Sequence, residues 1–281
     1  MLIFKVADLE VFAHDWVFVC KDFKTDNYTV IHNDNAAVRE VVTDEDAVFV
    51  FFNGKHYDSY IVKAICAGFT PEEIKKVNDY IIAGGQGWEC PLLQGIWFRF
   101  NNIDIKDDMQ MGLSLKAIEG HLGMDICESE IDFTLERQLT PEELESTIFY
   151  CKHDVDATER ILDLRKNYLQ TKLDIGKMCG LSEVKALSMT NAKLTAAFLG
   201  AVKQPHDDER EYVIPSNLDM RYVPQEVLEF YKRIYDPNIP DKELFSSKLN
   251  LKMGDCNVVV SYGGIHGCIP NYLWEEDGNE T

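Results

Sequence analysis

The segment DAVFVFF, residues 46–52, decides the fold. Its apolar side chains follow one another without alternation, which predicts a strand buried on both faces, as in a parallel sheet. Three further strands are predicted before it, over residues 2–12, 16–23 and 28–32, because these segments are apolar and β-branched with polar turns between them. The amino-terminal part of the chain is therefore predicted to begin as a sheet.

Helix signals follow this strand. A helix is predicted over residues 57–67, ending at Gly68, and a second helix begins at Thr70, with Pro71 in its first turn and Glu73 closing a capping box. Strands followed by helices in this way are typical of a sheet with helices packed on its faces.

The TPEE start signal of the second helix recurs at residues 140–143. Apolar or small residues then recur at spacings of four and three, which predicts a helix to about Leu169. A fifth strand over residues 96–105 and a short helix over residues 114–123 are predicted before it. We therefore predict an α/β fold, a mixed five-stranded sheet flanked by helices.

The pattern loosens after about residue 170. A helix is predicted over residues 224–235, and a strand over residues 257–267 runs into glycines. These features indicate a smaller, incomplete α+β segment. The predicted domains are residues 1–170 and residues 171–281.

Composition limits the function and the compartment. The net charge of -20 disfavours broad, non-specific binding to nucleic acid, but it leaves open a site where carboxylates hold divalent cations. The eight cysteines form no C-x-x-C pair, which disfavours zinc and favours reduced cysteines. Without a signal peptide or a long apolar run, we expect a cytoplasmic protein that is neither secreted nor membrane-bound.

Carboxylates lie where the predicted sheet would place a site. Asp8 and Glu10 are two apart on a predicted strand and share one face, where their burial is costly without a cation. The alternative is a strand face that meets water. Asp58 follows the fourth strand, where polar residues often line a site, although it also suits the first turn of a helix.

Tyr150 and Asp154 are spaced i and i+4 on the predicted long helix, so they point the same way. Asp154 is then a candidate metal ligand and Tyr150 a candidate partner for a nearby water. The alternative is a core tyrosine and a solvated aspartate. The seven histidines show no ligand spacing, and His153 is expected to point away from Asp154.

Taken together, the patterns D-x-E, N-x3-Y-D and Y-x3-D resemble the three motifs of DEDDy 3′–5′ exonucleases, in the same order. The similarity is closest to the proofreading domain of phage-type family B DNA polymerases and covers residues 1 to about 170. It implies a ribonuclease H-like fold. Val11 departs from the pattern, since members often carry Thr there, and Glu128 lies near the place where protein-primed members use a lysine.

The resemblance implies catalysis by two ions, Mg²⁺ or Mn²⁺. Asp8, Glu10 and Asp154 would hold the ion on the side of the nucleophile. Asp8 would bridge to the second ion, with the help of Asp58, and Tyr150 would orient the attacking water.

The resemblance also implies DNA contacts. SLKAI at residues 114–118 is similar to a motif that contacts single-stranded DNA, and SYGGIHG at residues 261–267 is similar to the element that links exonuclease and polymerase domains. The glycines of the second element suit close approach to a phosphate, or equally a plain turn. The expected DNA-binding residues are Asn53, Tyr57, Ser114, Leu115, Tyr262, Gly263 and Gly264.

Three functions follow as hypotheses. The first is the proofreading part of a DNA polymerase, with single-stranded DNA 3′ ends, template DNA and the remainder of the polymerase as partners. Because the polymerase motifs are absent from these 281 residues, no polymerisation by this chain alone is expected. The second is a free-standing exonuclease that acts on DNA or RNA 3′ ends. The third is a non-catalytic DNA-binding module.

Overall fold

The computed structural model describes residues 2–109, 112–202, 217 and 219–269. The chain divides into two compact units, with the boundary between residues 202 and 203. The first unit thus extends beyond residue 170, where the sequence pattern loosens. The second predicted region falls partly outside the described residues.

A mixed five-stranded sheet organises the first unit. Its strands are β1 (Ile3–Val11), β2 (Trp16–Asp22), β3 (Tyr28–His32), β4 (Ala47–Phe51) and β5 (Asn102–Asp104). They lie in the order β3-β2-β1-β4-β5, with β2 antiparallel to both of its neighbours and with β1, β4 and β5 parallel. All five residues of β4 are buried, which confirms the prediction of a buried parallel strand.

The fifth strand is shorter than predicted. Of the predicted strand over residues 96–105, only Asn102–Asp104 pairs with β4. The preceding segment instead packs Phe98 and Phe100 on the core, with the Phe100 ring centroid 5.9 Å from that of Phe49 and 6.2 Å from that of Phe51. Apolar side chains alone therefore did not distinguish a paired strand from a packed loop.

Helices cover both faces of this sheet. They are α1 (Asn35–Val42), α2 (Asp58–Cys66), α3 (Pro71–Ile82), α4 (Leu115–Leu122), α5 (Pro141–Met178), α6 (Glu183–Ser188) and α7 (Asn191–Phe198). Thr70 and Thr140 each form the predicted capping box, and Gly123 ends α4 with a φ of 65°. These local signals confirm the predicted starts of α3 and α5 and the end of α4.

Two helical features differ from the prediction. Helix α1 was not predicted, although Asp34 accepts hydrogen bonds from the backbone N–H groups of Ala36 and Ala37 as an N-cap. Helix α5 continues to Met178 because α6 packs against its last turns. Gly176 allows this contact, since a Cβ there would lie 2.3 Å from the Cβ of Ala186.

The alternation of β1 separates two core layers. Ala7, Leu9 and Val11 pack in the layer formed with α1, α2 and α3. Val6 faces the other layer, together with Cys151 and Val155 of α5. Residues 8 and 10 follow Val6 on this second face, so β1 directs its two carboxylates towards α5 rather than into open water.

The second unit contains a three-stranded antiparallel sheet. Its elements are α8 (Gln225–Lys232), α9 (Asp241–Ser246), β6 (Lys248–Met253), β7 (Cys256–Ser261) and β8 (Gly264–Cys268). The predicted helix is α8 with a following 3₁₀ turn at Arg233–Tyr235, and the predicted strand over residues 257–267 is divided into β7 and β8. In the described ranges of both units, every helix is too short or too polar to cross a bilayer.

Candidate metal centre

Three carboxylates from distant parts of the chain converge beside β1. One oxygen from each of Asp8, Glu10 and Asp154 lies within 4.8 Å of the other two. Asp8 and Glu10 share a face of β1, and Asp154 is buried where α5 covers that face. The thiol of Cys151, one turn before Asp154, donates to Asp8 Oδ2 at 3.4 Å. The geometry therefore supports a site that can hold a metal ion.

Asp58 lies next to this cluster. It is the first residue of α2 and is 3% exposed. Burial, followed by the charge of Asp8, raises the pKa of Asp58 well above its usual value. The charge of Asp58 also contributes to the raised pKa of Glu10, after burial and the charges of Asp8 and Asp154. Asp58 is outside the set of ligand atoms that lie within 4.8 Å of one another, so it borders the cluster rather than completing it.

Burial and neighbouring negative charges disfavour the charged forms of Asp8 and Glu10. Burial, followed by the charge of Asp154, raises the pKa of Asp8 from 3.8 to about 7. Burial, followed by the charges of Asp8 and Asp154, raises the pKa of Glu10 well above its usual value. A divalent cation would reverse these effects, because it compensates both the lost hydration and the mutual repulsion.

Tyr150 lies one helical turn before Asp154. Burial, followed by the negative charges of Asp154 and Glu10, raises the pKa of its phenol. Its hydroxyl therefore keeps its proton at neutral pH and can donate a hydrogen bond. The ammonium of Lys116 lies 4.9 Å from the centre of its ring.

Lys116 and Glu119 of α4 were not predicted as site residues, although Lys116 lies within the SLKAI segment. Lys116 Nζ donates to Asp154 Oδ1 and, at 3.3 Å, to Glu119 Oε1. The three-residue spacing of Lys116 and Glu119 on a helix was the available signal. It did not indicate that α4 packs against α5 at Asp154.

The prediction that His153 points away from Asp154 was wrong. Its Nδ1 lies 3.7 Å from Asp154 Oδ1 and 3.8 Å from Glu119 Oε1. Consecutive residues of a helix diverge in direction, but the imidazole is long enough to turn towards α4, where Glu119 lies. Only the packing of α4 on α5 makes this contact.

Four of the expected DNA-binding residues have structural contacts in the first unit. Asn53 has a φ of 67°, and its N–H donates to Asp104 Oδ1 at 2.9 Å. The hydroxyl of Tyr57 donates to Asn78 Oδ1 at 2.6 Å, and its ring packs on the core. Ser114 caps α4 through Ala117 N, and Leu115 packs on the layer that includes α5.

The remaining three form part of a hairpin in the second unit. Tyr262 and Gly263 connect β7 to β8, which begins at Gly264 with a φ of 149°. The ring of Tyr262 lies 5.0 Å from that of Phe230, and its hydroxyl donates to the Phe230 carbonyl at 2.8 Å. The glycines therefore form a hairpin turn, and their contact with a phosphate stays a prediction.

No model of a known protein family matches the chain, and no curated protein sequence matches it either.

Proposed function

We propose that the protein is a metal-dependent nuclease that removes nucleotides from the 3′ ends of single-stranded DNA, as the proofreading part of a DNA polymerase. The observation that carries this proposal is the convergence of Asp8, Glu10 and Asp154, with ligand atoms within 4.8 Å of one another. These are residues that the motif resemblance assigns to catalysis. They come from two elements, β1 and α5, that are far apart in the chain.

The donor set suits the expected cofactors. Carboxylate oxygens are preferred by Mg²⁺ and Mn²⁺, and the raised pKa values of Asp8 and Glu10 indicate that the ammonium of Lys116 alone does not balance the negative charge of the cluster. Asp8, Glu10 and Asp154 would hold one ion, and Asp8 with Asp58 would hold the second. Bound ions of this kind activate water and neutralise the charge of the phosphate and the leaving oxygen.

The chain's own groups would orient the reactants. Tyr150 keeps its proton, so its hydroxyl can hold the attacking water in place through a hydrogen bond. Cys151 donates to Asp8 Oδ2 and thereby limits the orientations open to that carboxylate. Both residues lie on α5, which also supplies Asp154, so one rigid helix sets their relative positions.

The architecture agrees with the proposal. A mixed five-stranded sheet flanked by helices is what the ribonuclease H-like fold of this exonuclease class implies, and that fold assignment is part of the proposal. Buried carboxylates with raised pKa values are typical of catalytic sites. They favour a catalytic protein over a module that only binds DNA, because mutually repelling carboxylates would not help such a module to bind a phosphate backbone.

The test is hydrolysis of single-stranded oligonucleotides labelled at the 5′ end, with DNA and RNA of matched sequence, in Mg²⁺, Mn²⁺ or chelator. We expect a ladder of labelled DNA fragments that shortens with time, only with the divalent ion. Asp154→Asn is the matched variant, because it keeps the size of the side chain and removes its charge, and it should produce no ladder.

Other outcomes would decide between the alternatives. Immediate release of a labelled mononucleotide would show the opposite polarity and contradict the proposal. Faster cleavage of the RNA would favour a free-standing exonuclease. Binding of DNA without cleavage in either ion would leave the non-catalytic module as the function.

A further inference from the structure

A second group of ligand atoms includes Asp154. One atom from each of Glu119, His153 and Asp154 lies within 4.8 Å of the other two. His153 Nδ1 is 3.8 Å from Glu119 Oε1 and 3.7 Å from Asp154 Oδ1, too far in both cases for a hydrogen bond. The imidazole of His153 therefore lies beside both carboxylates without a hydrogen bond to either of them.

Two buried atoms of this group lack a hydrogen-bond partner among the described residues, namely Glu119 Oε2 and His153 Nδ1. The side chain of Glu119 is only 1% exposed, so water does not readily compensate its carboxylate. Buried polar atoms are nearly always paired, and an unpaired one destabilises the folded state. A bound group that contacts both a carboxylate and an imidazole would satisfy Glu119 Oε2 and His153 Nδ1.

We propose that Glu119, His153 and Asp154 form a second cation site, distinct from the Asp8–Glu10 site and sharing Asp154 with it. The ion it fits is a divalent transition ion of the Mn²⁺ or Zn²⁺ class, because these ions accept an imidazole nitrogen as well as carboxylate oxygens, whereas Mg²⁺ favours oxygen alone. The proposal concerns cation binding, and it does not depend on whether the chain cleaves nucleic acid.

Lys116 bridges the two carboxylates of this group and would compete with the cation for them. Its ammonium contacts Asp154 Oδ1 and lies 3.3 Å from Glu119 Oε1, so it supplies positive charge to both carboxylates. Its side chain is 22% exposed and can swing outward. Ligand atoms around one ion at usual bond lengths lie about 3.0–3.4 Å apart, so His153 Nδ1 would close in by a few tenths of an ångström as the ammonium leaves.

Mn²⁺ is the probe for this site, because pulsed electron paramagnetic resonance detects a nitrogen bonded directly to it. With the full chain in Mn²⁺ we expect the coupling of one imidazole nitrogen. His153→Gln should remove that coupling and weaken one Mn²⁺-binding event at least about tenfold in calorimetry. Asp8→Asn should weaken the other binding event and keep the nitrogen coupling.

Lys116→Met supplies the opposite change, since it keeps the length of the side chain and removes its charge. It should tighten Mn²⁺ binding at the nitrogen-containing site about fivefold or more, because the competing ammonium is gone. Thermal melting of each variant verifies that it is folded. No nitrogen coupling at saturating Mn²⁺, or a coupling that survives in His153→Gln, would overturn the proposal. The three residues would then form only an ion-pair network with Lys116.

Discussion

Asp104 and Asp154 are almost equally buried, at 6% and 8% exposed, yet they lie in opposite surroundings. Asp104, at the end of β5, accepts hydrogen bonds from the backbone N–H groups of Asn53, Lys55 and Lys106 at 2.9–3.1 Å. Asp154 faces the carboxylates of Asp8 and Glu10. Backbone donors make Asp104 a structural residue. At Asp154 the single ammonium of Lys116 leaves three carboxylates with an excess of negative charge, which a divalent cation would compensate.

The two regions are connected through the chain. Asp104 holds the turn at Asn53–Lys55, where Asn53 adopts a left-handed conformation. This turn leads directly into α2, whose first residue is Asp58. A satisfied carboxylate therefore positions the segment that carries another carboxylate to the border of the metal centre.

The largest expected effect is on the cluster itself. Replacing Asp8 and Glu10 together by Ala should lower divalent-ion-dependent hydrolysis by a factor on the order of 10³ or more, because two ligands of the ion are lost. Thermal stability without divalent ions should stay the same or rise, since two repelling carboxylates are removed. Hydrolysis assays and melting curves measure both effects. Full activity in the double variant would contradict the assignment.

Asp104→Ala should lower stability, whereas the double variant of Asp8 and Glu10 should lower hydrolysis without lowering stability. Three partly buried N–H groups lose their acceptor, so the free energy of unfolding should fall by about 2–4 kcal/mol in urea titrations. Asp107→Ala is the matched control on the same turn, because the partly exposed ion pair of Asp107 with Lys55 should contribute less than about 1 kcal/mol. If the free energy of unfolding falls equally in the two variants, the hydrogen bonds of Asp104 to the backbone contribute no more to stability than the ion pair of Asp107.

Tyr150→Phe should separate ligation from orientation within the cluster. The hydroxyl supplies no ligand, so calorimetric Mn²⁺ binding should be unchanged while hydrolysis slows by about 10- to 100-fold. Asp154→Ala is the reference for a lost ligand. If Tyr150→Phe loses as much metal affinity as Asp154→Ala, the tyrosine has a larger role than the orientation of water.

The smallest expected effect is on the pH dependence of stability. The pKa of Asp8 is raised from 3.8 to about 7, so the folded chain binds this proton more tightly than the unfolded chain. The contribution of Asp8 to the free energy of unfolding must therefore become less favourable as the pH rises through that window.

The matched measurement is urea unfolding of the wild type and of Asp8→Asn without divalent ions. We expect the free energy of unfolding of the wild type, relative to that of the variant, to fall as the pH rises from 3.8 to about 7. Added Mg²⁺ should make this fall smaller. A difference that stays flat across the window would show that the Asp8 carboxyl is not destabilised by its surroundings.

Most of the sheet and the helix starts could be predicted from the sequence because their signals are local. The continuous apolar run at residues 46–52 predicted the buried strand β4. The alternation of strand residues placed Asp8 and Glu10 on one face of β1, and a TPEE capping box begins both α3 and α5. The pair Tyr150 and Asp154 followed from helical spacing alone. Each of these inferences uses residues within a few positions of one another.

Contacts between distant segments were decided by the tertiary structure alone. The sequence by itself determined that Asp8 and Glu10 share a face and that Asp154 follows Tyr150 by one turn. It did not indicate that α4 would bring Lys116 and Glu119 to Asp154, or that His153 would turn towards them. The physical reason is that a carboxylate's ion pairs and hydrogen bonds depend on which groups pack beside it. For Lys116 and Asp154 that packing joins positions 38 residues apart.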